Sequence, residues 1–289
     1  MPDEPRVAEA GDGDPVDTYP LEYSDHEFAR LERQATIFRG FTADVLRRAG
    51  LVPGMQVLDI GCGVGDVSLL AAELVGPSGT VLGVDRSPDS IAVATRRVAA
   101  AGYAEQIRFV VGELDYFLSA REGTTPFDAV IGRLVLMYQC DPVDILRRLS
   151  WMLRAGGTLA LLEMVGPMFR SLPEAPLFTL STQRIVTTLA RAGADMDMGS
   201  KLANVFVDAG LPMPTVVLGG YTGSGPDSPV YAYVADGVRS VAPIAERLGI
   251  FTAAEADVDT LPERLAAEAA ELRACLMPPP LAGAWTHRT

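Results

Sequence analysis

Short apolar runs and stretches of helical periodicity alternate along most of this chain. The apolar runs predict strands at 55–60, 80–84, 107–111, 127–132, 158–163, 215–218 and 281–287. After the first run, Val67, Leu70, Ala71 and Leu74 recur at the spacing of one helix face. This alternation predicts an α/β fold with a doubly wound parallel sheet, which binds ligands at the carboxyl ends of its strands.

Helices are predicted between the strands and at the start of the chain. Apolar spacing and turn signals place them from about Ser87, at 113–120 and at 142–153. Before the first strand, apolar residues between 28 and 46 also have helical spacing, with a break near Gly40 and an end at Gly50. We therefore expect more than one helix in this N-terminal segment.

The alternation is interrupted after Glu163 by proline-rich and helical segments, which could cover the ligand edge of the sheet as a lid. The pattern divides the chain into a flexible tail (1–20), an N-terminal helical lid (21–50), a ligand-binding core (51–165), a helical insertion over the substrate (166–198), a continuation of the core (199–221), a second helical insertion (222–277) and a C-terminal edge strand, expected to be antiparallel (278–289).

Composition argues against several classes of protein. Of the 289 residues 48% are hydrophobic, yet no apolar run approaches the roughly 20 residues of a membrane-spanning helix. The acidic N-terminus does not resemble a signal peptide, and three widely spaced cysteines suit a reducing compartment better than a zinc site. A net charge of −13 disfavours a nucleic-acid substrate. We therefore expect a cytoplasmic protein with no membrane, nucleic-acid or metal partner, and leave a homodimer open.

The segment 57–66, with the sequence VLDIGCGVGD, carries the most chemical information. It has the pattern of a buried strand that turns on glycines into a helix, with Asp59 two residues before the first glycine. Glycine is needed where φ is positive or where a Cβ would meet a ligand. Asp85 ends the next apolar run, where a carboxylate can accept both hydroxyls of a ribose. These features together predict a nucleoside site.

Three interpretations of this turn are open. A nicotinamide or flavin dinucleotide needs G-x-G-x-x-G, but Asp66 stands at the third glycine position and would repel a pyrophosphate. S-adenosylmethionine has the opposite preference, because its sulfonium and α-amino groups are attracted to carboxylates. A glycine-rich turn that binds no ligand is the third interpretation.

From about residue 38 to residue 163 the chain resembles the class I S-adenosylmethionine-dependent methyltransferases, especially the small-molecule type 11 group of ubiquinone and menaquinone biosynthesis. The motifs that carry this likeness are 57–65, Asp85, 112–114, 127–130 and 153–159. In the third motif, Gly-Glu-Leu replaces the usual Gly-Asp-Ala. The resemblance implies a Rossmann-like seven-stranded sheet with its last strand antiparallel, a helical lid, and S-adenosylmethionine as cofactor without a metal.

The resemblance also implies which residues bind the cofactor. They are Asp59, Gly61, Gly63, Gly65, Asp85, Arg86, Gly112, Glu113, Leu114, Arg133, Tyr23 and Gln34. Asp59 would order the glycine turn or bind the amino group through water. Glu113 would approach the adenine amino group, and Arg133 the sulfonium and the methionine carboxylate, unless the two are solvated side chains at the strand ends. Tyr23 and Gln34 would reach the cofactor or the substrate from the lid.

Methyl transfer from a sulfonium depends mainly on holding the nucleophile close to the S–CH3 bond and in line with it. A general base is needed only if the nucleophile must lose a proton. The candidate bases are His26 at the start of the N-terminal helices, Tyr138 after the strand 127–132, and Glu163 at the end of the strand 158–163. His26 could equally lie at the surface, and Glu163 could pair with an arginine.

The lid segments are rich in Leu, Val, Met and Phe, which favours an apolar or aromatic small molecule as the methyl acceptor, although the same residues could form the core of the lid. We predict methyl transfer to an oxygen, carbon or nitrogen of such a molecule in specialised metabolism. The alternatives are an NAD(P)-dependent oxidoreductase and a non-catalytic S-adenosylmethionine-binding protein.

Overall fold

Strands and helices alternate in the order that the periodicity predicts. The computed structural model describes residues 21, 25–120 and 126–289, with the backbone alone at 25 and 26, so the predicted tail 1–20 lies outside the described residues. The strands are β1 (Gln56–Ile60), β2 (Thr80–Asp85), β3 (Ile107–Val111), β4 (Phe127–Arg133), β5 (Leu153–Met164), β6 (Arg170–Leu172), β7 (Thr215–Gly219), β8 (Cys275–Met277) and β9 (Leu281–His287).

Helices follow most of these strands. They are α1 (Asp25–Arg48), α2 (Asp66–Val75), α3 (Pro88–Ala100), α4 (Leu114–Ala120), α5 (Pro142–Trp151), α6 (Pro176–Arg191), α7 (Met198–Asp208), α8 (Pro229–Arg247), α9 (Ala253–Ala256) and α10 (Leu261–Leu272). Short 3₁₀ turns lie at Leu136–Tyr138 and Gly166–Met168. Among the described helices, none combines the length and the apolar character needed to cross a membrane.

Seven strands form one sheet in the order β3-β2-β1-β4-β5-β9-β7. The first five run parallel, and β9 runs antiparallel to both of its neighbours. The α/β fold class, the seven strands and the antiparallel last strand are therefore confirmed. β5 begins at Leu153 rather than at residue 158, because Phe127 pairs with Leu153 before the register shifts.

The expected position of the C-terminal strand at the sheet edge is wrong. β9 lies between β5 and β7, and β7 forms the edge. Burial explains the difference, because 281–286 are all buried whereas residues of β7 are half-buried or exposed. An interior strand covered on both faces has a continuous apolar run rather than an alternating one. The sequence LAGAW in β9 is such a continuous apolar run, but its position near the C-terminus favoured the wrong prediction of an edge strand.

The predicted break of the N-terminal helix near Gly40 is also wrong. α1 continues through Gly40 from Asp25 to Arg48. Gly40 is exposed, and a glycine inside a helix costs only about 1 kcal/mol. Buried residues on both sides of it fix the helix against the sheet. For example, Val45 is fully buried, and a Cβ built at Gly283 of β9 would lie 2.6 Å from its Cγ2.

The two inserted segments contact each other above the sheet. β6 of the first pairs antiparallel with β8 of the second, a small sheet that the sequence did not predict. Glu268 of α10 accepts hydrogen bonds from the Leu177 and Phe178 N–H groups at 2.8 and 3.2 Å, and so caps the start of α6. This joins α6, α8 and α10 into one layer, which also contacts α1.

Candidate active site

The glycine turn between β1 and α2 forms one wall of a cavity. Gly61, Gly63 and Gly65 have φ of +57°, +51° and +85°, in the left-handed region that favours glycine. A Cβ built at Gly61 would lie 2.6 Å from Cγ2 of Val135, in the loop after β4. A Cβ at Gly63 would meet no atom within 4 Å. The open space above Gly63 is the room that a ligand lying on the backbone requires.

Asp85 ends β2 beside this turn and fixes its conformation. Its Oδ2 accepts a hydrogen bond from the Gly63 N–H at 2.9 Å, and its Oδ1 accepts one from the Ser87 N–H at 2.9 Å. Burial raises the pKa of the Asp85 carboxyl above its usual value, and the two N–H donors oppose this shift. The carboxylate also lines the cavity, so a ribose placed above the turn would meet it.

Asp59 lies beneath the turn and is 1% exposed. Its Oδ2 accepts a hydrogen bond from Ser68 Oγ at 2.6 Å, but its Oδ1 has no partner within the described residues. Burial raises the pKa of Asp59 to about 7, while the Ser68 hydrogen bond and the Arg133 charge lower it. A buried acceptor without a partner costs free energy. A cation above the turn would offset that cost, which fits a sulfonium and an ammonium group better than a phosphate.

Two arginines lie close to the carboxylates around the turn. Asp66, the first residue of α2, accepts a hydrogen bond from Arg97 Nη2 at 2.7 Å, so the charge that disfavours a pyrophosphate is partly compensated. Arg133, at the end of β4, donates from Nη1 to Thr42 Oγ1 at 3.2 Å. Burial lowers the pKa of the Arg133 guanidinium, and the neighbouring Asp66 and Asp59 carboxylates raise it. Arg133 therefore links α1 to the floor of the cavity.

The residues expected to hold the adenine lie together at the ends of β2 and β3. Gly112, Glu113 and Leu114 line the cavity, as does Arg86. Arg86 Nε and Glu113 Oε1 lie 3.5 Å apart, and the Glu113 side chain is 66% exposed. Glu113 therefore forms a solvated ion pair with Arg86 while remaining at the cavity rim.

Glu163 does not line the cavity with the other site residues, and it is fully buried. Its Oε1 accepts hydrogen bonds from the Val135 and Leu136 N–H groups at 2.9 and 2.7 Å, and its Oε2 accepts one from Met137 at 3.3 Å. Burial raises the pKa of Glu163 to about 7, although the three N–H donors lower it. This geometry contradicts a role as general base. The carboxylate instead holds the loop after β4, in which Leu134 has a φ of +60°, unusual for a branched side chain.

The other candidate base and lid positions fall into two groups. Tyr138 and Gln34 both line the cavity. Burial raises the pKa of Tyr138 above its usual range, so its hydroxyl stays protonated at neutral pH. Tyr23 and the His26 side chain lie outside the described residues, and their expected roles stay predictions.

Sequence reasoning missed three cavity-side residues. Arg30 lines the cavity from α1, and its guanidinium donates to both Glu27 carboxylate oxygens, at 2.8 and 2.5 Å. Glu27 also accepts a hydrogen bond from Ser240 of α8 at 2.7 Å. Tyr233 lines the cavity from α8. The spacing of Glu27, Arg30 and Gln34 on one helix face was a usable signal, since these positions share the face of the buried Phe38. Nothing in the sequence singled out Tyr233.

One cavity of about 400 Å³, a volume within the usual range for small-molecule sites, joins most of these groups; Asp59, Gly65, Glu27 and Glu163 do not line it. The glycine turn and the carboxyl ends of β2, β3 and β4 form its polar end. The second end is lined by α1, α6, α8 and the loop after β4, whose Val135 also lies next to Gly61 of the glycine turn. Its apolar lining includes Leu31, Met137, Ile185, Val186, Leu189 and Val234. We refer to this second end as the acceptor chamber.

Comparison with known proteins identifies the family. Residues 51–202, just over half of the chain, match the family described as a methyltransferase domain. The chain belongs to this methyltransferase family. The resemblance to class I S-adenosylmethionine-dependent enzymes and the assignment of S-adenosylmethionine as cofactor are thereby confirmed. Membership of this family also favours a methyltransferase over an NAD(P)-dependent oxidoreductase.

Several relatives illustrate how far the likeness extends. An uncharacterised 37.1 kDa transposon protein of Streptomyces fradiae is 31% identical over 66% of this chain and 54% of its own length. A demethylmenaquinone methyltransferase of Symbiobacterium thermophilum is 33% identical over 41% of this chain and 46% of its own. The chain therefore spans about half the length of these relatives.

A solved structure supports the fold alone. A phosphoethanolamine N-methyltransferase of Haemonchus contortus, in complex with phosphomonomethylethanolamine and S-adenosylhomocysteine, superposes with a TM-score of 0.53 at 16% identity. The superposition spans 86% of this chain and 52% of the Haemonchus contortus chain.

Proposed function

We propose that this protein transfers the methyl group of S-adenosylmethionine to an oxygen, carbon or nitrogen of an apolar or aromatic small molecule. The observation that carries the proposal is the two-ended cavity. A nucleoside site with an acidic floor opens directly into an apolar chamber of the kind that small-molecule acceptors occupy. A non-catalytic binder of the cofactor would not need the second end.

The polar end offers groups that suit the ribose, the adenine and the positive charge of the cofactor. Asp85 would accept the ribose hydroxyls, and the exposed Glu113 and the half-buried Leu114 would border the adenine. The open space over Gly63 leaves room for the methionine part. Asp59, with its unpartnered Oδ1, supplies negative charge beneath the position expected for the sulfonium. When bound, the cofactor supplies an electrophilic methyl group that needs no metal to activate it.

The residues of this chain then have positioning as their main task. α6, α8 and the loop after β4 would hold the acceptor against the nucleoside end and exclude water, and orientation of this kind can supply several kcal/mol of the rate enhancement. No histidine is among the described residues that line the cavity. An acceptor that is already nucleophilic, or one whose proton leaves to solvent, suits such a site best.

The acceptor class rests on the lining of the chamber and on one relative. The demethylmenaquinone methyltransferase is named for a quinone acceptor, which fits an apolar chamber. The cavity of about 400 Å³ and the net charge of −13 favour a small molecule over nucleic acid. The cytoplasmic location, the specialised-metabolism role and the homodimer stay predictions.

Calorimetry with S-adenosylhomocysteine tests the cofactor half of the proposal. We expect Gly63→Val to abolish binding, because the branched side chain would fill the open space over the turn. Gly102→Val is the matched control, since Gly102 also has positive φ (+82°) and open surroundings but lies outside the cavity. Equal affinity in the two variants would refute the placement of the cofactor.

Product release tests the catalytic half. The protein is incubated with S-adenosylmethionine and a panel of phenols, quinols and amines, and S-adenosylhomocysteine is quantified by mass spectrometry. Turnover with at least one apolar ring compound is expected. Cofactor binding without acceptor-dependent product from any member of the panel would favour the non-catalytic alternative.

A further inference from the structure

The acceptor chamber contains two polar side chains, Tyr233 and Gln34, that each carry a hydrogen-bond donor with no acceptor among the described residues. Tyr233 is 9% exposed and lines the cavity. Its ring packs edge-on against Phe38, with ring centroids 6.0 Å apart. Within the described part of the chain, its hydroxyl has no hydrogen-bond partner. A buried tyrosine hydroxyl normally has a partner, so a ligand atom in the chamber is the natural candidate.

Gln34 is the second such group, and its orientation is fixed. It is 6% exposed, and its Oε1 accepts a hydrogen bond from Arg30 Nη1 at 2.8 Å. A guanidinium can only donate, so the amide oxygen must face Arg30 and the amide nitrogen must point elsewhere. Within the described residues, Nε2 has no hydrogen-bond acceptor. The pairing of Arg30 with Glu27, itself bonded to Ser240, holds this arrangement in place.

Phe38 brings the two groups into one region of the chamber, because Gln34 lies about one helical turn before it on α1 and Tyr233 packs against its ring. Arg30, which is hydrogen-bonded to Gln34, also lowers the pKa of the Tyr233 phenol through its charge. Burial outweighs this effect and raises the pKa of Tyr233, so the hydroxyl stays protonated and can donate. The Glu27–Arg30 pair carries no net charge. The Tyr233 hydroxyl and the Gln34 amide are therefore neutral donors beside this ion pair, within the partly apolar lining of the chamber.

We propose that Tyr233 Oη and Gln34 Nε2 donate hydrogen bonds to an oxygen atom of the methyl acceptor. The acceptor class is accordingly an apolar ring compound that bears a hydroxyl or carbonyl oxygen, rather than an amine or a hydrocarbon. This inference rests on the proposed function, because it places the acceptor in the chamber beside the cofactor.

Equilibrium dialysis with a pair of probes tests the proposal without turnover. The probes are 1-naphthol and naphthalene, which differ by one oxygen, and both are measured in the presence of saturating S-adenosylhomocysteine. We expect the wild-type protein to bind 1-naphthol more tightly than naphthalene. Tyr233→Phe should weaken 1-naphthol binding by about 3- to 10-fold, the range of one net hydrogen bond, and leave naphthalene binding unchanged.

The control variant is Tyr231→Phe, on the same helix. Tyr231 Oη donates to the Gly225 carbonyl oxygen at 2.8 Å, and the residue does not line the cavity, so the affinities for both probes should stay at their wild-type values. Gln34→Met tests the second donor and should reduce the preference for 1-naphthol in the same direction.

Three results would overturn the assignment: equal wild-type affinity for the two probes, wild-type affinity for 1-naphthol in Tyr233→Phe, or binding of neither probe by a protein that binds S-adenosylhomocysteine. Failure of the wild type to bind S-adenosylhomocysteine would instead refute the proposed function. The two failures are therefore distinguishable in one set of samples.

Discussion

The affinity of this protein for S-adenosylmethionine should rise with pH between 6 and 8, because Asp59 changes charge in that interval. Burial raises the pKa of Asp59 to about 7. Its Oδ1 lacks a partner beneath the glycine turn, close to where the cofactor's positive charge is expected. The ionised carboxylate attracts that charge and the neutral acid does not. Cofactor binding should therefore favour the ionised form of Asp59. At a pH below the pKa of Asp59, binding should release a proton from this carboxyl group.

The magnitude follows from the ionised fraction. With a pKa near 7, roughly 10% of the carboxyl groups are ionised at pH 6 and roughly 90% at pH 8. If the ionised form alone binds tightly, the Kd falls about ninefold over this interval, equivalent to about 1.3 kcal/mol. Partial binding by the neutral form would reduce the factor but not change its direction.

Isothermal titration calorimetry at pH 6, 7 and 8, in two buffers with different ionisation enthalpies, measures both the Kd and the protons released. Asp59→Asn keeps the shape of the side chain and an acceptor for Ser68, but cannot ionise. It should show the weaker, low-pH affinity and lose this pH dependence. Adenosine, which carries no positive charge, should bind with little dependence on pH. A Kd that is constant within twofold for the wild type, or an unchanged slope in Asp59→Asn, would refute the reasoning.

Two further changes test the loop after β4. Glu163→Gln replaces an acceptor oxygen by a donor, so at least one of the Val135, Leu136 and Met137 N–H groups loses its partner. Chemical denaturation should show a loss of about 1–3 kcal/mol in the free energy of unfolding. An unchanged free energy of unfolding would contradict the capping role of Glu163. Gly61→Ala should destabilise the turn, since its Cβ would lie 2.6 Å from Val135 Cγ2. Adding Val135→Ala should recover part of the lost thermal stability and cofactor affinity, whereas additive losses would show that the contact does not limit the turn.

The geometry of the polar end of the cavity could be predicted because its determinants are local in sequence. The glycines at 61, 63 and 65 need positive φ, and Asp85 follows directly from the end of an apolar strand. Parallel strands bring their carboxyl ends to one edge of the sheet, independently of how the inserted segments pack. The acceptor chamber has no comparable local signal. Tyr233 faces it only because α8 packs against α1 and α6, which is a tertiary choice.

Glu163 shows why a residue can be placed correctly at a strand end while its expected role, here that of general base, does not fit its contacts. Its position near the carboxyl end of β5 agrees with the prediction, and a carboxylate there would ordinarily reach the ligand edge. The direction of the side chain, however, is decided by the loop after β4, whose N–H groups at Val135, Leu136 and Met137 need an acceptor in the interior. A backbone that turns through positive φ at Leu134 cannot supply that acceptor from its own helix or strand. The carboxylate is therefore used to fold the active-site loop, and what remains for chemistry is the position of the acceptor that the loop and α8 enclose.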